Sequence, residues 1–370
     1  MKNDNKLYKY KSYKPFSDEL IMILDETSKL LFKTETYRNE LIPLAFELRK
    51  QNLLKQRELH PDCLPRGVVL FICPKNVDLI SCYALAYGIL CGNYVVIRPS
   101  LNSELFLIFT NYLKKVCDEH FFSELLDNIL ILDSLEEEPL KYWSEKANAR
   151  IAWGSNNSIE SYLSMKKNRD CKDVFFAHRN SLALINCEYK EDFDLLVESF
   201  YKSSFLYDQL SCSSPRAVYF INARNDFIKL FWEKLYEYAK QETKFNDTKL
   251  LLKYSNLCQL LAHQDCKVKL YDNILYVIES KIFDWTKHKA LGNGTFFSFK
   301  ASSLRECLIN LEQIQTISFW GIDKRDIIEE LLLTNNSTVT RVLPINRTLE
   351  FDNVVDGEDL FFAITRKMKY

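Results

Sequence analysis

From Arg66 onward the chain alternates short β-rich runs with longer segments whose apolar residues recur at helical spacing. A strand that leads through a helix into another strand closes a parallel pair, and the helix then covers the sheet face. The pattern therefore predicts parallel sheet flanked by helices. Strands are predicted at Gly67–Cys73, Tyr94–Ile97, Asn128–Leu132, Arg150–Trp153 and Leu182–Asn186, with helices over Leu79–Leu90, Ser103–Cys117 and Ser158–Met165 between them. Asn102 or Ser103 supplies the side-chain oxygen that caps the second helix.

A second α/β block starts near Tyr189, with a helix over Asp192–Ser203, a strand over Ala217–Ile221 and a long helix over Asp226–Gln241. Helices near Ser303–Leu311 and Asp326–Leu333 extend it, while Lys244 to Tyr276 gives mixed signals. The first 65 residues read as largely helical, with Leu20, Ile23, Leu24, Leu30 and Leu31 at helical spacings. No internal repeat, Gly/Ser linker or low-complexity tract divides the chain. The expected organisation is a helical segment plus first α/β domain over 1–187, a second over 188–345, and a tail over 346–370 that packs back on the core.

Composition narrows the function classes. Lys and Arg total 49 against 50 acidic residues, so no global charge draws the chain to nucleic acid or to an anionic membrane. The apolar region from Val68 to Ile97 is interrupted by Pro74, Lys75, Asn76 and Asp78, which argues against a membrane span. The polar start, Met1 to Lys6, leads into no apolar signal region. The 11 cysteines are odd in number and follow no dense framework, as suits reduced thiols in a cytoplasmic protein. Cys258, His263 and Cys266 lack a fourth ligand at a zinc spacing, so no metal site is expected. With 8 glycines in all, a Gly-rich phosphate loop is also absent.

Four segments carry the chemistry: Pro74-Lys75-Asn76-Val77, Gly92 to Ser100, Ala152-Trp153-Gly154-Ser155, and Asp208-Gln209-Leu210-Ser211-Cys212-Ser213-Ser214-Pro215. Read singly, each has a plain structural alternative. Cys212 could be a buried packing residue, Asn76 a helix cap, Arg98 a strand-end cation, and Gly154-Ser155 a strand-to-helix turn. In this order and spacing the segments resemble the aldehyde dehydrogenase superfamily, and within it the acyl-CoA reductase family typified by the bioluminescence fatty acid reductase subunit (LuxC). Gln315-Thr316-Ile317, Thr340 to Pro344 and Asp356 to Asp359 extend the resemblance from about Arg66 to about Leu360. It implies an aldehyde-dehydrogenase-like α/β fold with two Rossmann-like three-layer domains, the first binding a dinucleotide and the second bearing the cysteine.

The resemblance also implies roles. Cys212 would be the nucleophile, because a thiolate takes an acyl group from another thioester at little free-energy cost and the acyl-enzyme can then accept hydride. Asn76, with the backbone N–H of Cys212, would hold the oxyanion, a donor worth ~10²–10³ in rate. Arg98 and Ser100 would lie by the nucleotide. Where NAD-preferring relatives carry a ribose-binding carboxylate this chain has Leu101, and a guanidinium without that carboxylate suits a 2′-phosphate, so NADPH is the expected cofactor. Gly154 would admit the pyrophosphate to close approach, and Ser155 opens a helix whose positive end faces it.

Aldehyde-oxidising relatives carry a Glu that activates water against the acyl-enzyme. Setting Arg179-Asn180 over their Lys-Asn places Phe175 there, beside Val174 and Phe176, so the thioester would be left for reduction. His178 is the alternative base nearby, although a histidine in such a stretch also serves packing. The expected reaction is NADPH-dependent reduction of an acyl thioester, on coenzyme A, a carrier or a partner acyl-protein synthetase, to an aldehyde. The alternative is an acyl-transfer or scaffold subunit acylated on Cys212 without reduction. A homo-oligomer is compatible with the resemblance, although no alternating hairpin matches the oligomerisation arm of many aldehyde dehydrogenases.

Overall fold

The computed structural model describes residues 11–369 except 76, 102, 134–135, 189–191, 244–245, 264, 281–291, 310, 335, 337 and 349–351. The chain divides into two compact units, 1–177 with 351–370, and 178–350.

The first unit is built on a five-stranded parallel sheet of β1 (Val68–Ile72), β2 (Tyr94–Arg98), β3 (Ile129–Ile131), β4 (Ala149–Trp153) and β5 (Lys172–Phe176), in the order β3-β2-β1-β4-β5. Every residue of β1 is buried, which is why it reads as an uninterrupted apolar run rather than an alternating one. Val69, Phe71, Val95, Ile97 and Ile151 pack with the helices Leu79–Leu90 and Glu104–Glu119 and with the N-terminal helices. Val68, Leu70, Val96 and Ala152 turn the other way, towards Leu140, Trp143 and Ile159 on the helices Glu137–Lys146 and Asn156–Ser164. Three layers result. At Gly88 a Cβ would lie 2.6 Å from Val95 Cγ2, so the glycine is what lets its helix sit this close to β2.

The N-terminal helices Asp18–Phe32, Arg38–Glu47 and Lys50–Leu59 bury Leu20, Ile23, Leu24 and Leu31. The C-terminal segment returns to this unit, where Thr365–Lys367 pairs antiparallel with Cys63–Pro65. Asn93, inside one of the four motifs, is part of that joint. Its side chain accepts from the Gly67 N–H at 3.1 Å and donates to the Ile364 carbonyl at 3.0 Å. His60 is a second link: its Nε2 lies 2.9 Å from Asp359, and its ring packs on Phe16, Phe361 and Phe362.

The second unit holds a seven-stranded sheet of β6 (Asn180–Asn186), β7 (Ala217–Ile221), β8 (Lys267–Tyr271), β9 (Leu275–Glu279), β10 (Thr295–Ala301), β11 (Ile314–Trp320) and β12 (Arg341–Pro344). Its order is β12-β11-β6-β7-β10-β9-β8, parallel but for the β9–β8 pair. Helices Phe193–Phe205 and Asn225–Glu242 cover one face through Phe200, Phe231, Trp232 and Leu235. Leu257, Leu308, Ile327 and Leu331 cover the other.

One domain boundary and one strand differ from the sequence expectation. The strand Asn180–Asn186 pairs with β7 and β11, so it belongs to the second sheet and the units part at 177/178 rather than after 187. An apolar strand carries no mark of which parallel sheet it joins. The true last strand of the first sheet, Lys172–Phe176, is an edge strand with exposed Lys172 and half-buried Asp173, so its charged start masks it. Of the two proposed caps, Ser103 accepts from the Phe106 N–H at 3.1 Å, while Asn102 lies outside the described residues. Among the described residues no helix is long and apolar enough to cross a membrane.

Candidate active site

Cys212 lies in the loop between the turn Leu206–Gln209 and β7, in the second unit. The chain enters this loop through two consecutive left-handed residues, Asp208 and Gln209 (φ 56° and 60°), an arrangement that non-glycine residues adopt only when surroundings compensate. The compensation is visible at Gln209, which is fully buried. Its Nε2 donates to the carbonyls of Pro215 (3.0 Å) and Thr295 (2.9 Å), and its Oε1 accepts from the N–H groups of Gly294 and Thr295 (both 3.0 Å). All the hydrogen-bonding capacity of the amide is thus used to fasten both ends of the Cys212 loop to the start of β10.

Ser181 fastens the loop from the other side. Its hydroxyl donates to the Cys212 carbonyl, and its own carbonyl accepts the Arg216 N–H at 2.9 Å. Within the loop the Ser211 and Ser213 hydroxyls lie 2.9 Å apart, and the Ser214 N–H donates to the Ser211 carbonyl at 3.1 Å. Cys212 itself stays half-buried. Burial pushes up the thiols of Cys63, Cys73, Cys82, Cys91, Cys117, Cys171, Cys187, Cys266 and Cys307, which makes those nine poor nucleophiles near neutral pH.

A buried cation follows the loop in sequence. Arg216 is 4% exposed; burial pulls it down to about 10 and Cys212 acts in the opposite sense. His178 lies below its ordinary value, first through burial and then through Arg216 and Arg179, so the imidazole is neutral at physiological pH. Phe175 sits on β5 of the first unit with the Arg150 guanidinium 5.3 Å from its ring centre, and Phe176 stacks on Trp153 at 5.1 Å.

The other expected site residues belong to the first unit, at the carboxyl ends of its strands. Arg98 ends β2 and pairs across β1 with Ile72; its guanidinium donates to the Tyr162 hydroxyl on the helix Asn156–Ser164. Ser155 caps that same helix, accepting from the Ser158 N–H at 3.2 Å, and is exposed. Gly154 continues β4, donating to the Phe176 carbonyl at 3.1 Å. Arg98, Gly154 and Ser155 are thereby brought to one end of one sheet, flanking β1, where the strand order reverses and open α/β sheets bind ligands. Ser100, the fourth residue expected by the nucleotide, is enclosed. It is 3% exposed, donates its hydroxyl to the Pro74 carbonyl and its N–H to Ser81 at 3.0 Å, and so ties the loop after β1 to the loop after β2. Asn76 lies outside the described residues.

Sequence reasoning missed Gln209, Ser181, Arg216 and Tyr162. Gln209 stood inside a quoted motif, and a polar residue there without an obvious catalytic task was the available signal. Among the described residues no group of three or more His, Cys, Asp or Glu is placed to hold a metal. Cys258 and His263 are both exposed, on the helix Asp247–His263.

Residues 7–250 match the family model described as acyl-CoA reductase (LuxC). Comparison with curated protein sequences gives no match. Among solved structures, an NAD-dependent benzaldehyde dehydrogenase from Corynebacterium glutamicum is similar with a TM-score of 0.71 at 15% identity, over 96% of this chain and 85% of that one. Aldehyde dehydrogenase 21 from Physcomitrella patens gives 0.71 at 13% identity, over 94% and 84%. Lactaldehyde dehydrogenase from Escherichia coli gives 0.70 at 13% identity, over 94% and 85%. At such identities the structures speak for the fold alone, while the family model covers well over half of the sequence. The chain belongs to the LuxC family of acyl-CoA reductases, on the fold of the aldehyde dehydrogenases, and is an aldehyde-related oxidoreductase.

Proposed function

We propose that this protein reduces an acyl thioester to an aldehyde with NADPH, through a covalent acyl group on Cys212. The observation that carries the reading is the setting of Cys212, a half-buried cysteine on a loop held at both ends by Gln209 and Ser181. A nucleophile that must meet a carbonyl carbon at one angle gains from such fixing, because orientation paid for during folding is not paid again in the reaction. Cys212 attacks the thioester carbonyl, and the oxyanion is held by its own backbone N–H and by Asn76. Collapse expels the donor thiol and leaves a new thioester on Cys212, so the exchange is nearly balanced in energy.

The residues at the carboxyl ends of β2 and β4 suit a dinucleotide. The N–H groups at the exposed start of the helix Asn156–Ser164 are positioned for an anion, and the Arg98 guanidinium supplies a charged donor where Leu101, 47% exposed, offers no competing carboxylate. Tyr162 orients Arg98, and Ser100 positions the loops on either side. NADPH, when bound, supplies hydride. Phe175 in the place of a water-activating Glu, its ring packed by Arg150, favours reduction over hydrolysis.

The test is NADPH consumption by the purified protein with a chain-length series of acyl-CoA substrates, trapping aldehyde. Aldehyde in step with NADPH loss is expected, and Arg98→Ala should lose about tenfold or more in kcat/KM with NADPH while losing much less with NADH. Acylation of the protein without NADPH consumption would replace the reductase by an acyl-transfer subunit.

A further inference from the structure

The least economical residue in the second unit is Arg216. It immediately precedes β7, is 4% exposed, and its Nε and Nη1 have no hydrogen-bond acceptor among the described residues. A buried guanidinium with unmet donors costs stability, and such a group persists where its charge has a task. Its backbone is fixed on both sides, the N–H to the Ser181 carbonyl at 2.9 Å and the carbonyl to the Phe297 N–H at 2.9 Å, so it cannot withdraw to solvent. Ser181 also receives the other end of the short loop, through the Cys212 carbonyl. Both residues are therefore pinned to one point.

We propose that Arg216 is the buried counter-charge of the Cys212 thiolate, a positioning residue that holds the sulfur ionised before it attacks. The proposal rests on the reading of Cys212 as the nucleophile. The Cys212 proton leaves to solvent, and the negative sulfur then supplies the charge that Arg216 lacks in the neutral state. Two titratable groups act with Arg216, Cys212 and His178. His178 is neutral or cationic at any pH, and neighbouring Arg179 is a cation, so neither offers negative charge. Among the described residues that act on Arg216, Cys212 is the one that can become an anion.

The experiment follows alkylation of Cys212 by iodoacetamide in the full chain, reading the Cys212 peptide by mass spectrometry from about pH 5 to about pH 10. Arg216→Met keeps length and removes charge; Arg216→Lys keeps charge. The proposal expects the Met variant to shift the alkylation midpoint up and to slow labelling near neutral pH about tenfold, and the Lys variant to stay near the native profile. A merely structural Arg216 would instead lower the melting temperature in the Met variant and leave the midpoint in place. A native profile in the Met variant overturns the proposal. Should that variant not fold, the native protein is compared with Cys212→Ser: its stability relative to the variant should grow as pH rises through the thiol titration, and a constant difference overturns the proposal. Acyl loading is read separately. Loading that survives Cys212→Ser defeats the nucleophile reading, whereas loading that depends on Cys212, with an unshifted midpoint in Arg216→Met, defeats the role of Arg216 alone.

Discussion

Replacing Gln209 should loosen the Cys212 loop while leaving the thiol itself intact. In Gln209→Ala four hydrogen bonds are lost at once, to the carbonyls of Pro215 and Thr295 and from the N–H groups of Gly294 and Thr295. At about 1 kcal/mol net for each, the loss is about 4 kcal/mol, set against a total stability of about 5–15 kcal/mol. The variant should therefore still fold at room temperature. For a unit of this size each kcal/mol moves the melting temperature by ~2–4 °C, so a fall of about 8–16 °C is expected in a thermal scan. Gln209→Gly loses the same bonds but relieves the left-handed backbone at φ 60°, and should recover about 1 kcal/mol relative to Ala. Activity should fall by more than stability alone requires, in kcat rather than KM, because the loop no longer fixes the angle of attack. A Gln209→Ala variant that melts within about 2 °C of the native protein would refute the clamp.

Two further outcomes concern pH. His60 titrates above the usual imidazole range: burial opposes the charge, but Asp359 and the Gln56 carbonyl outweigh it. The stability it contributes is present in full below the unfolded value and is lost as pH rises through the raised one, so in urea titrations His60→Gln should destabilise the protein by about 1.5–3 kcal/mol near pH 6 and by less near pH 8.5. A difference that does not change with pH would contradict this. Lys253 is 1% exposed, and burial lowers it to about 7 although its Nζ donates to the carbonyls of Asn273 and Ile274. The unfolded chain takes up this proton from about pH 10.5 downward and the folded chain only near 7, so native stability should rise with pH across that window by up to about 1.4 kcal/mol per unit. Lys253→Met should flatten the rise, and an unchanged slope in the variant would count against it.

The parallel α/β layers were legible because buried parallel strands such as Val68–Ile72 and Ala217–Ile221 are continuous apolar runs, and a helix such as Leu79–Leu90 follows at once. What stayed hidden was whatever depends on edges and on long-range pairing. Lys172–Phe176 begins with charge because it lies at a sheet edge, and β8 and β9 fall where helical and strand spacings overlap in the sequence. The candidate site was read as a set of motifs, and three of its residues, Arg98, Gly154 and Ser155, lie at one end of one sheet. The enclosure of Ser100 was not legible, because nothing local distinguishes an open hydroxyl from one bonded to the carbonyl of a residue 26 positions away. Gln209 and Arg216 were missed for a related reason. Their importance lies in partners on β6 and β10, which only the fold brings to them.

The most direct test of the account is to incubate the protein with a fatty acyl-CoA in the absence of nucleotide and to locate the acyl group by peptide mass spectrometry. The account predicts one acyl thioester, on the Cys212 peptide, which disappears with release of aldehyde when NADPH is added. No adduct on Cys212, or an adduct that NADPH leaves in place, would contradict it.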